Sequence, residues 1–209
     1  MSEPCPWCLR ADRPMTREHV FARWLVRRVH GARLVPSSAT AAERIARVTA
    51  GVCADCNAGW MSVLEDSFRR AIYGRPRVGT LQAQDRVILS RWFTKTAVLL
   101  GHARGTAFVS PAERTQLVAG MPDDVEVFLA RRRRPPQRLD FTFEAAADRE
   151  PDTVRSVAVQ VDDLVAHVAA RGVLASRHGT QLWPLRSHLI RWETLPVITA
   201  PHRSRSRSA

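Results

Sequence analysis

Lysine is almost missing from this chain: Lys95 is the only one, and arginine supplies the other 31 of the 32 basic side chains. The formal net charge of +12 and the isoelectric point near 11.3 are therefore carried by guanidinium groups. Cysteine is absent after Cys56, which excludes a disulfide framework holding the long remainder of the chain and fits a reducing, cytoplasmic setting. Long apolar runs are absent too. No stretch approaches the roughly 20 apolar residues needed to cross a bilayer, and Met1 to Pro14 contains no apolar core of signal-peptide length. A soluble protein with no membrane partner is expected.

What is present is enough for a substantial interior. A hydrophobic content of 45% over 209 residues supports one full core or two small ones, and the motifs divide the chain into two units. The first, residues 1–75, holds all four cysteines and the chemistry-bearing residues; the second covers 80–200; residues 203–209 form a basic arginine-serine tail with nothing to bury, expected to be disordered. Helical spacing of Val20, Trp24, Leu25 and Val29 predicts an amphipathic helix over 20–30, and Ala58 to Tyr73 predicts another ending at Gly74. Arg44 to Ala50 alternates weakly and predicts a strand, while Pro36 to Ser38 marks a loop. In the second unit, Ile88, Trp92 and Leu99 share one face of a long helix over 85–101. Strands are expected at 125–130, 139–144 and 154–161, giving an α+β fold in which a helix precedes an antiparallel sheet.

Cys5-Pro-Trp-Cys8 and Cys53-Ala-Asp-Cys56 are two CxxC knuckles, each able to present two thiolates to one ion. Together they predict a four-thiolate structural zinc site. The competing reading, two redox or incidental CxxC pairs, has no use for the matched spacing. The knuckles are too far apart for a compact zinc ribbon, so folded chain must lie between them. That chain contains Glu18-His19, an acid-histidine pair suited to metal-dependent hydrolysis. Histidine has an unperturbed pKa of about 6.5, which makes it a natural base near neutrality.

Taken in order, CPWC, TREHVFARWL and VCADCNAGWMSVLED resemble the HNH endonucleases of the ββα-metal fold in their four-cysteine, zinc-containing form, over about the first third of the chain. The resemblance implies a zinc-stapled nuclease unit that hydrolyses phosphodiester bonds, most readily of DNA. His19 corresponds to the general base. Glu18 corresponds to the acid that holds a catalytic divalent ion, Mg²⁺ or Mn²⁺, and Asn57 to the asparagine that braces the histidine loop. The remaining metal ligand falls to Glu65 or Asp66. Glu65 is favoured because it borders the apolar face of Met61, Leu64, Phe68 and Ile72, whereas Asp66 groups with Ser62, Arg69 and Arg70. Nucleic-acid contacts are expected from Arg23, Arg27 and Arg28 beside His19, and from the run Arg131, Arg132, Arg133 and Arg134, read as a loop between strands. Two other functions use the same residues differently: a zinc-stabilised nucleic-acid-binding module without catalysis, and an RNA-cleaving, toxin-like nuclease.

Overall fold

Two sheets and one long helix that touches both organise the chain, in a computed structural model that describes residues 4–31, 45, 47–106, 109–133, 139–145, 154–173, 179–186 and 189–198. The fold is mixed α/β, and no helix among the described residues is long and apolar enough to cross a membrane. The loop expected at Pro36 to Ser38 and the tail 203–209 lie outside the described residues.

The N-terminal region is built on a hairpin. Strand β1 (Met15–His19) pairs antiparallel with β2 (Thr49–Cys53), from Met15 opposite Cys53 to His19 opposite Thr49. Helix α1 (Arg23–His30) lies in the connection, burying Leu25, Val26 and Val29 and leaving Arg23, Arg27 and Arg28 exposed, as its periodicity requires. The strand expected over 44–50 starts later, at Thr49, because pairing with β1 sets its register and carries it into the second cysteine pair. A turn of helix at Ala54–Cys56 and a wider π-helical turn at Asn57–Met61 follow. Gly59, with φ −86° and ψ −114°, breaks the helical run there, so the helix expected over 58–73 is regular only as α2 (Ser62–Tyr73).

Helix α3 (Ala83–Arg104) leads toward the larger sheet and ends at Gly105, whose left-handed φ of 76° lets its N–H reach the carbonyl of His102 at 3.0 Å. Helix α4 (Pro111–Leu117) begins with a capping box: Glu113 N–H donates to the Ser110 hydroxyl at 3.3 Å, and Ser110 N–H donates to the Glu113 carboxylate at 2.6 Å. The larger sheet has the order β4 (Leu139–Ala145), β5 (Val154–Val161), β6 (Leu164–Ala170), β3 (Val125–Arg132), β7 (Thr180–Trp183). These neighbours are all antiparallel, and β8 (Val197–Ile198) adds a parallel pairing to the end of β3.

Helix α3 is buried on more than one face because α2 covers one side and the large sheet another. Phe68 of α2 stacks on Trp92 of α3 with ring centroids 3.7 Å apart, and Phe93 packs edge-on against both. The buried residues consequently form one continuous cluster, from Trp7 through Phe68 and Trp92 to Val127, Val157 and Val168 in the sheet. Tyr73, at the end of α2, donates its hydroxyl to Asp162 at 2.6 Å and ties that end to the β5–β6 turn.

Candidate metal centre and active site

The hairpin brings the two knuckles together. Cys53 ends β2 opposite Met15, and the first knuckle lies just before β1, so pairing places Cys5 and Cys8 against Cys53 and Cys56. The four sulfur atoms lie within 4.8 Å of one another, and Cys8 Sγ is 3.7 Å from Cys53 Sγ. That separation is far beyond a disulfide bond of about 2.05 Å. It matches the edge of about 3.8 Å that four Zn–S bonds of ~2.3 Å impose on a tetrahedron.

Backbone N–H groups already point at the sulfurs: Cys53 N–H donates to Cys5 and Cys56 N–H to Cys53, each at 3.4 Å. Burial pushes the Cys53 and Cys56 thiols up; the other sulfurs add to it at Cys56, while at Cys53 the Cys56 N–H and thiol pull down and Cys5 and Cys8 push up. For Cys5, burial acts the same way but is outweighed by the N–H groups of Cys53, Cys8 and Trp7, which bring it to about 7. Four packed sulfurs cannot all ionise without an opposite charge, and a bound cation supplies one. The cluster is thus a site for a metal such as zinc. Trp7 is buried beside it and meets Trp60 edge-on at 5.2 Å, and the Trp7 carbonyl accepts from Thr115 of α4 at 3.2 Å.

Asn57 follows the last cysteine directly, so the cysteine cluster fixes where its side chain goes. Its amide donates to the Thr16 hydroxyl at 3.2 Å, and Thr16 donates to the Val52 carbonyl at 3.1 Å. Glu18 lies two residues along β1 from Thr16, on the same face of the strand, and is also hydrogen bonded to Asn57. Burial pushes the Glu18 carboxyl above its ordinary range; the ammonium of Lys95 pulls it down, the carboxylate of Glu65 pushes it up, and Asn57 and His19 pull it down. His19 is the last residue of β1, directly after Glu18, and is half-buried.

Glu65 reaches this cluster from α2, as its place beside the apolar face predicts, and there it meets Lys95. The Lys95 ammonium contacts Glu65 Oε1, which also accepts from Trp92 Nε1 at 2.8 Å, while Oε2 accepts from Trp24 Nε1 at 3.3 Å. Three donors therefore occupy the carboxylate. Asp66 is exposed on another side of α2, in a cleft with Arg27, Arg28, Arg69 and Arg70. The structure brings together Glu18, Asn57 and Glu65, and places Asp66 apart from them.

Lys95 is the site residue that the sequence reading does not assign. A signal for it exists: Lys95 sits three residues after Trp92 and four before Leu99, inside the apolar stripe of α3, where a charge requires a partner. The arginine run also differs from a loop. Arg131 and Arg132 are strand residues, because pairing with Val197 and Ile198 of β8 extends β3. Arg131 pairs with Asp163 at 2.9 Å and Arg132 donates to Gln160 at 2.8 Å. Arg133 is exposed beyond the strand, and Arg134 lies outside the described residues.

No protein-family model, no curated protein and no solved structure matches the chain. The geometry of the four cysteines and of the Glu18–Asn57–Glu65–Lys95 cluster carries the functional reading.

Proposed function

We propose that the chain is an endonuclease that hydrolyses phosphodiester bonds, with DNA as its first substrate, acting through a ββα-metal unit in residues 1–75. The observation that carries this reading is the tie between the cysteine cluster and the acid-histidine strand. Asn57, fixed by Cys56, holds Thr16 and Glu18 of the strand that ends in His19.

In this reading the structural zinc sets the hairpin, and the hairpin sets the site. His19, as a neutral imidazole, takes the proton from a water that attacks phosphorus. Asn57 orients the strand that carries His19 and does not itself touch substrate. A divalent ion, Mg²⁺ or Mn²⁺, would sit on the Glu18 carboxylate with waters completing its shell, and would stabilise charge on the leaving oxygen. Glu65, held by Lys95 and the two indoles, acts on Glu18 electrostatically, and Asp66 stands away from it. The remaining 80–200 unit buttresses this site through α3, which supplies Lys95 and Trp92.

The saturation of Glu65 also favours a second reading. A carboxylate whose oxygens are filled by protein donors suits a binding module in which an internal ion pair stands where catalytic chemistry would otherwise be placed. Incubation of zinc-loaded protein with supercoiled plasmid and with RNA, Mg²⁺ or Mn²⁺ added or withheld, separates the two. Divalent-dependent nicking supports the nuclease, and preference for RNA assigns the substrate differently. Binding of both polymers without cleavage selects the module.

A further inference from the structure

Several guanidiniums of this arginine-rich chain are neutralised by a neighbour: Arg10 by Asp12, Arg13 by Asp55, Arg75 by Asp85, Arg131 by Asp163. Arg27 and Arg28 of α1 and Arg69 and Arg70 of α2 are different. They are exposed, they converge on one cleft of about 940 Å³, and among the described residues Asp66 is the one acid lining it. None of the four takes part in an ion pair among the described residues.

Two of these guanidiniums are held in place by aromatic rings. Arg28 lies over Tyr73 at 5.1 Å and Arg69 over Trp24 at 5.5 Å, and the two rings meet edge-on at 6.0 Å. A stacked guanidinium keeps its N–H edges free and fixed in direction, which lowers the ordering penalty of pairing with phosphate. Trp24 has a second role, because its indole N–H donates to Glu65 in the acid cluster. The cleft and the site described above therefore share a wall.

We propose that this cleft binds the phosphodiester backbone of a nucleic-acid strand and leads it to the Glu18–His19 site; the second half of that statement rests on the nuclease reading. Four converging charges facing one carboxylate in an open cleft suit successive phosphates, whereas a single phosphate would need one fork and an enclosing wall. The contacts are to backbone only and carry no sequence preference.

The test is fluorescence anisotropy of a short labelled oligonucleotide, as single strand and as duplex, titrated with full-length zinc-loaded protein over a range of sodium chloride, with no other divalent ion added. The Arg28→Gln/Arg69→Gln variant is compared with Arg155→Gln/Arg171→Gln, which removes the same charge from exposed positions elsewhere. Loss of two phosphate contacts lowers the slope of log affinity against log salt by roughly 1.5 to 2 and weakens binding about tenfold or more at ~0.1 M salt. The control should leave the slope nearly unchanged. Equal losses in both variants, or none in the first, overturn the proposal. So does displacement of the oligonucleotide by inorganic phosphate beyond the effect of chloride at equal ionic strength, which marks a single-phosphate site. Binding is read without turnover, so the two ideas fail separately. Cleft-dependent binding with no cleavage on adding Mg²⁺ sinks the nuclease reading alone, and cleavage with unaltered binding by the cleft variant sinks the cleft alone.

Discussion

Replacing Lys95 by methionine keeps the side chain's length and removes its charge. The ammonium is wholly buried, 0% exposed, and its partner Glu65 is 12% exposed. At an effective dielectric of about 20, two unit charges ~4 Å apart attract by about 4 kcal/mol, and desolvation of both groups consumes most of that. The intact pair is thus worth little net, while loss of one member leaves a buried charge and costs roughly 3 to 5 kcal/mol. Glu65 keeps two indole donors and some solvent, so the lower end, about 3 kcal/mol, is expected for Lys95→Met. Glu65→Gln strands the ammonium and should cost a similar ~3 kcal/mol. The double variant has neither charge and should lose only about 1 kcal/mol, far less than the ~6 that independent losses would give. Urea unfolding at fixed zinc, followed by tryptophan fluorescence, reads all three, because Trp24 and Trp92 are themselves partners of Glu65. For a chain of this size ~3 kcal/mol corresponds to a melting shift of roughly 6 to 12 °C. A Lys95→Met protein within 1 kcal/mol of wild type, or additive losses in the double variant, would refute the reasoning.

Two further outcomes follow from the same geometry. Cys8→Ser should abolish stoichiometric zinc binding and loosen the β1–β2 hairpin, since structural zinc sites of this kind are worth roughly 10 kcal/mol or more in isolated modules; metal analysis and hydrogen exchange at β1 check this, and a metal-free variant with native protection of β1 contradicts it. Glu18 carries a carboxyl raised by burial, so the folded state holds its proton more tightly than the unfolded chain; its contribution is fully favourable at acid pH and is lost as pH rises through the raised value. Glu18→Gln should therefore match wild type near pH 4 and exceed it in melting temperature at pH 7.5, and thermal melts showing the reverse order would remove Glu18 from its desolvated position.

Much of this fold is written locally. The two CxxC turns, the apolar stripe of α3 and the alternation of β5 are visible residue by residue, and the structure has each in place. What the sequence hides is set at long range. Strand β1 reads MTREH, which has no apolar period because a two-stranded hairpin buries little of it; β2 defines it by pairing. Strand β6, LVAHVAA, is buried on both faces, so the period of two that marks a half-exposed strand is absent. Helix α4 had a readable signature in Ser110-Pro111-Ala112-Glu113, a cap rather than a periodic pattern. At the site, Asn57 is legible because it follows Cys56. Glu65 is legible only as pointing inward, since its three donors come from α1 and α3, the nearest of them 27 residues away in sequence.

The proposed role of His19 is phosphodiester hydrolysis in a site held by the cysteine cluster and Asn57. Its most direct test is the single-turnover nicking rate of supercoiled plasmid by His19→Ala beside wild type, in Mg²⁺ or Mn²⁺, with zinc content and melting temperature matched. Loss of a general base predicts a fall of at least about 100-fold. Equal rates in the two proteins would contradict the account.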